Sequence, residues 1–135
     1  MNPKQFLLIG GAVLVLIAIL GFVGIIGPTP DKSIFGATWW FDNAENWAHL
    51  VIGIAGVISA YILPDMLQKY LTLALALVAL FFGVYSLLSY TTFLGANLEN
   101  PADSILHLAV GVWALYAAMM GKKATTPVAG AMMQK

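Results

Sequence analysis

The sequence predicts an all-α, polytopic membrane protein: four transmembrane helices built as two repeated helical hairpins. Three observations carry this expectation. Apolar runs recur four times, each close to the roughly 20 residues that cross a ~30 Å hydrocarbon core. Charge is scarce: 9% of the 135 residues are charged and 61% are hydrophobic, with a mean hydropathy of +0.89, whereas a soluble domain is about a quarter charged. One phrase also occurs twice. It reads Asp42-Asn43-Ala44-Glu45-Asn46-Trp47-Ala48-His49-Leu50-Val51-Ile52-Gly53, and then Asn100-Pro101-Ala102-Asp103-Ser104-Ile105-Leu106-His107-Leu108-Ala109-Val110-Gly111.

Met1 to Gln5 form a short polar start, and Phe6 to Ile26 follow as an apolar run without charge. A secretory signal has an apolar region of about 7–15 residues and a small-residue cleavage site. This run is longer and ends in Gly27-Pro28-Thr29-Pro30, so it reads as a retained span. Gly10, Gly11, Gly21 and Gly24 interrupt it, and small residues let helix backbones approach in lipid. Residues 27–41 form a loop, because Pro28 and Pro30 stop the helix. Trp39, Trp40 and Phe41 close that loop as an interfacial anchor, or else as a pocket lid or partner-docking surface.

The second helix starts near Asn43 to Glu45, where acidic side chains suit the positive end of the helix dipole. It runs to Leu63 and ends at Pro64-Asp65. A short turn over residues 64–69 makes the second and third helices antiparallel neighbours. The third helix spans Tyr70 to Tyr90. Ser59, Thr72, Ser86 and Ser89 are expected to satisfy themselves on their own helix backbone, and Phe81, Phe82, Trp113 and Tyr116 to face lipid or a partner. A loop over 91–102 leads to the fourth helix, Asp103 to Met120, closed by Gly121-Lys122-Lys123. The bundle is thus expected over residues 1–121, as hairpin repeats 5–63 and 70–121, with a short cytoplasmic tail over 122–135. Met119, Met120, Met132 and Met133 lie in a helix end and this tail, and are not read as a metal site.

Lys4, Lys69, Lys122, Lys123 and Lys135 fall on one side of this threading and only Lys32 on the other. The positive-inside rule then places both termini in the cytoplasm, and the chain in the cell's inner membrane. Asp31, Asp42, Glu45, Glu99 and Asp103 gather on the opposite side. A formal net charge of zero excludes a basic nucleic-acid binder. The chain has no cysteine, hence no disulfide and no thiolate chemistry. With two histidines, one chain offers no three-histidine metal centre. No phosphate-cradling glycine loop, nucleophile elbow or metalloprotease helix occurs, so no enzyme is expected.

Aligning the two histidines matches Glu45 with Asp103, Leu50 with Leu108, Gly53 with Gly111 and Gly56 with Ala114. Positions i, i+4, i+7 and i+11 share a helix face. That face is His49, Gly53, Gly56, Ala60 in the second helix and His107, Gly111, Ala114, Ala118 in the fourth. Both stripes are expected to face protein. Glu45 and Asp103 each precede their histidine by four residues, within pairing reach. With Asn46, these residues make the expected packing and polar cluster: Glu45, Asn46, Gly53, Gly56, Asp103 and Gly111. The histidines are expected to pin helices by hydrogen bonds. The alternatives are that His49 and His107 ligate a haem or (bacterio)chlorophyll-type pigment, or handle protons or ions. Their position only about one turn inside the span weighs against a deep cofactor, and none is expected.

The phrase Asn46-Trp47-Ala48-His49-Leu50-Val51-Ile52-Gly53 resembles the N-x-x-H-L-x-x-G motif of small four-helix bacterial membrane proteins, catalogued as a domain of unknown function. Gly21-Phe22-Val23-Gly24 is similar to that family as well, and the resemblance covers most of the chain from the first helix to the fourth. The second copy carries Ser104 in place of Asn46, so the asparagine's role is not duplicated. The resemblance implies a four-helix integral membrane protein and brings no reaction, cofactor or catalytic residue. A bundle this small buries little within itself. The expected role is therefore a structural or accessory subunit, with the lipid bilayer, other membrane subunits or a second copy as partners.

Overall fold

The computed structural model describes residues 1–120, and the expected tail over 122–135 lies outside the described residues. The regular structure of the described residues is all helical apart from one hairpin of two two-residue strands. Four helices, α1 (Pro3–Phe22), α2 (Asn43–Ile62), α3 (Asp65–Leu87) and α4 (Ala102–Met119), are each long and apolar enough to cross a membrane. α1 packs along α2 and α3 along α4, so the expected hairpins form. They meet mainly through α1, which touches both α3 and α4.

Local chemistry sets the helix ends. α1 starts at Pro3, earlier than the apolar run suggests, because Asn2 and Gln5 form a reciprocal capping box. Such a cap satisfies two backbone donors that the helix itself leaves free. α1 stops at Phe22 rather than Ile26. Its chain then turns through a loop with two 3₁₀ turns, Pro30–Lys32 and Gly36–Thr38. The amides of Ile34 and Phe41 bond back to the carbonyls of Ile25 and Ile26, at 2.9 and 2.8 Å. α2 has its own capping box, Asp42 with Glu45.

The largest correction falls between α2 and α3. The expected turn over 64–69 is only Leu63-Pro64, and α3 begins at Asp65, five residues before Tyr70. Buried Gln68 explains the tightness. Its amide donates to the carbonyls of Ala60 and Leu63, at 3.1 and 2.8 Å, and so satisfies the end of α2. α3 ends at Leu87 rather than Tyr90, with Ser89 at a φ of 69° beyond it.

The α3–α4 loop holds strands β1 (Thr92–Phe93) and β2 (Ala96–Asn97), paired antiparallel. Leu94 and Gly95 form the turn, both with positive φ, 51° and 87°. A two-residue hairpin turn with both φ positive favours Asn-Gly or Asp-Gly. A leucine in the left-handed region costs about 1–2 kcal/mol.

The apolar core sits at the end of the bundle that carries the amino terminus. Phe6, Leu7, Ala60, Ala76, Ala114 and Ala117 form it, and Phe6 meets Trp113 edge-on at 4.8 Å. The crossings inside each hairpin run over glycine. A Cβ on Gly53 would lie 2.7 Å from the Gly11 carbonyl, and one on Gly11 would lie 2.7 Å from the Gly53 carbonyl. In the second hairpin a Cβ on Gly111 would meet Leu80 at 2.7 Å. The small-residue stripes are buried as expected: Gly53, Gly56 and Ala60 on α2, and Gly111, Ala114 and Ala118 on α4.

Gly53→Leu is expected to cost ~1–3 kcal/mol or more in detergent unfolding, since an overpacked crossing cannot relax freely. Ala55→Leu, on the exposed flank of the same helix, should stay within about 0.5 kcal/mol. Equal costs for the two would contradict the backbone crossing.

Candidate functional site

The opposite end of the bundle carries both long loops, and here polar groups take the place of the apolar core. Glu45, Asn46, Glu99, Asp103 and Ser104 are all buried. A buried polar group without a hydrogen bond is costly, and a buried charge more so. The partners these groups find define the site.

Asp103 is fully buried and uses both carboxylate oxygens. Trp39 of the α1–α2 loop donates its indole N–H to Oδ1 at 3.1 Å, and the backbone amide of Glu99 donates to Oδ2 at 2.7 Å. Asp42, at the start of α2, does the reciprocal job. Its Oδ1 caps the Glu45 amide at 2.9 Å, and its Oδ2 accepts the Asn97 amide from the α3–α4 loop at 2.7 Å. Each hairpin's loop therefore bonds to an acidic residue of the other hairpin. The two bonds form a crossed latch between the repeats. Hydrogen bonds to charged groups contribute about 1.5–3 kcal/mol each.

Beneath the latch the histidines meet. The rings of His49 and His107 lie 6.4 Å apart, inclined by 29°. Phe41 packs edge-on against His49 at 5.2 Å, and Phe82 lies 5.7 Å from His107. The predicted carboxylate–imidazole pairs do not form as hydrogen bonds. His107 Nδ1 bonds to the Asp103 backbone carbonyl at 2.9 Å. Glu45 turns one oxygen, Oε2, back to the Asp42 amide at 3.1 Å. Asp103 gives both oxygens to Trp39 and Glu99, whereas Glu45 gives only Oε2 to its cap. Glu45 Oε1, Asn46 Oδ1 and His49 Nδ1 are buried and have no hydrogen-bond partner among the described residues.

The matched positions Asn46 and Ser104 solve their burial differently. Asn46 lies over Gly21, whose missing side chain makes its space, and its amide reaches the Phe41 carbonyl at a long 3.5 Å. Ser104 pairs with Ser86 across the α3–α4 interface at 2.9 Å. This corrects the expectation that Ser86 satisfies itself on its own helix. Thr72 departs from it too, because its hydroxyl is buried without a partner.

The aromatic triplet turns toward the second hairpin. Phe41 is buried, Trp39 points to Asp103, and Trp40 lines an open cleft of about 450 Å³ with Thr38, Thr91, Asn97, Glu99 and Asn100. An indole N–H needs an acceptor when buried, and Asp103 offers one inside the protein. The triplet thus faces the other hairpin, with Trp39 and Trp40 still half-buried at the loop end. Glu99 lies between cleft and latch. Its Oε1 accepts from the Asn97 side chain and its Oε2 is buried without a partner. Burial, and then the nearby carboxylate of Asp103, push the Glu99 carboxyl from 4.5 up to about 8.

No group of three or more His, Asp or Glu able to hold a metal ion occurs among the described residues. A tetrapyrrole held by either imidazole needs a slot beside the ring, and the contacts with Phe41, Phe82 and the opposite imidazole would have to part to admit it. Sequence reasoning found the acids, the histidines and Asn46. It missed Trp39 and Asn97 as latch donors; of the four glycines in the first apolar run expected to allow close approach, Gly11 and Gly21 are the two that do so. The only sequence signal for the donors was their place in loops flanked by acidic helix starts. No protein-family model, curated protein or solved structure matches this chain.

Because the folded state holds the Glu99 proton more tightly than the unfolded chain, this residue's contribution to stability is full below pH 4.5. It is lost as pH rises from 4.5 through about 8, above which both states are ionised. Thermal melts in detergent from pH 5 to pH 9 should show this decline, and Glu99→Gln should flatten it. An identical slope in the variant would show that Glu99 is not its source.

Proposed function

We propose that this chain is a non-enzymatic integral membrane protein, a structural or accessory subunit that associates laterally with itself or with a larger membrane complex. One observation carries the reading. The charged and polar side chains of the loop end mostly bond to each other and to helix ends, while the flanks of all four helices present bulky apolar side chains outward. A third or less of each span is buried within the chain.

The lysines support an inner-membrane location with cytoplasmic termini. Lys4 and Lys69 lie at the end of the bundle that carries the amino terminus, and Lys32 lies at the loop end. Three further lysines follow α4 in the sequence. The loop end then faces away from the cytoplasm. The bacterial four-helix family that the Asn46–Gly53 phrase resembles is compatible with this role.

Purified in a mild detergent, the protein is expected to run as an assembly larger than its 14.4 kDa chain mass, or with co-purifying membrane subunits. A monodisperse monomer that brings no partner would contradict the proposal.

Proton handling is a second reading, favoured by the meeting of His49 and His107 beside a buried, unpartnered Nδ1. In proteoliposomes this reading expects a proton flux that falls at least tenfold in His49→Ala and His107→Ala. Flux equal to wild type in both variants, or none in wild type, would end it.

A further inference from the structure

The hairpin β1–β2 ends in Leu94, which is 92% exposed, more than any other large hydrophobic residue of the described chain. Its neighbour Phe93 shows where the hairpin lies. The Phe93 ring packs against Phe81 at 5.8 Å, Phe82 at 5.1 Å and Tyr85 at 5.5 Å. Phe81 precedes the end of α3 at Leu87 by six residues, which is about 9 Å down the helix axis at 1.5 Å per residue. The hairpin therefore folds back along a membrane span instead of rising from its end. The Tyr85 hydroxyl fastens it there by donating to the Thr92 carbonyl at 3.1 Å.

The flank it lies on is apolar and open, with Leu77, Phe81, Val84 and Leu88 all exposed. A water-facing turn of this geometry favours asparagine or aspartate before the glycine. Here a leucine is held in the left-handed region and fully presented. From this placement we infer that Leu94 is a lipid-inserted tip: the hairpin seats on the acyl chains of the leaflet at the loop end, beside α3. The other end of the same hairpin carries Asn97, whose amide bonds to Asp42 at 2.7 Å. The lipid-bound tip and the crossed latch are thus joined by three residues of backbone.

The chain has no cysteine, so one introduced thiol carries one fluorescent label. Leu94→Cys, Asp31→Cys in the exposed 3₁₀ turn and Val78→Cys on the exposed middle of α3 would be labelled separately. Each is reconstituted into phosphatidylcholine vesicles. Quenching is read with iodide in water and with lipid spin-labelled near the top of the acyl chain. The label at 94 is expected to be quenched several-fold more by the lipid than by iodide, and the label at 31 the reverse. Iodide quenching at 94 as strong as at 31 would put the tip in water and overturn the inference. Quenching by neither would put it under protein and overturn it equally. The inference rests on α3 crossing the bilayer, which the label at 78 reports separately. If 78 were open to iodide, the spanning reading and the tip would fall together.

Discussion

Lipid supplies no hydrogen-bond partner, so a buried carboxylate inside a membrane bundle must be bonded by the protein or be neutralised. Asp103 meets this constraint with the Trp39 indole and the Glu99 amide, and the rest of the loop end depends on how it does so. Trp39 is drawn inward, which carries the α1–α2 loop across to α4. The Glu99 amide fixes the α3–α4 loop over the start of α4, and that loop then delivers Asn97 to Asp42. With both loops crossed, Phe41 is buried and packs on His49, which faces His107.

The two hairpins share a plan at the crossing and differ at the polar end. Gly53 and Gly111 both let a facing helix come within backbone distance. Above them the matched acids diverge. Glu45 belongs to a capping box and serves its own helix, whereas Asp103 follows Pro101, has no capping box to complete, and turns to the loops. Asn46 and Ser104 likewise find different neighbours, a glycine in one hairpin and a serine in the other. The repeat is thus a shared backbone geometry carrying two solutions to burying polar groups. That asymmetry lets each repeat hold the other.

The spans, the hairpin pairing and the buried stripes were legible in the sequence because they follow from apolar length and from helical periodicity, both local. His49 and His107 were legible as inward-facing for the same reason. The start of α3 was not, because Asp65 to Lys69 look like a polar turn until Gln68 is seen to cap α2. Trp39 and Asn97 were not, because their partners lie 64 and 55 residues away in sequence and nothing periodic connects them. The carboxylate–imidazole pairs were read from spacing alone. Spacing places groups on one face but does not say which acceptor wins.

Function rests on the same arrangement. A latch that engages Asp42 and Asp103, and flanks rich in exposed apolar side chains, are what support the proposed role of a part that holds a position among other membrane components. The most direct measurement is solid-state NMR on the histidine-labelled protein in bilayers, since the chain has only two histidines. A crossed latch brings the two rings to 6.4 Å and therefore yields an inter-ring cross-peak between two resolved histidine spin systems. Two assigned rings without that cross-peak would mean that the hairpins do not meet at the loop end.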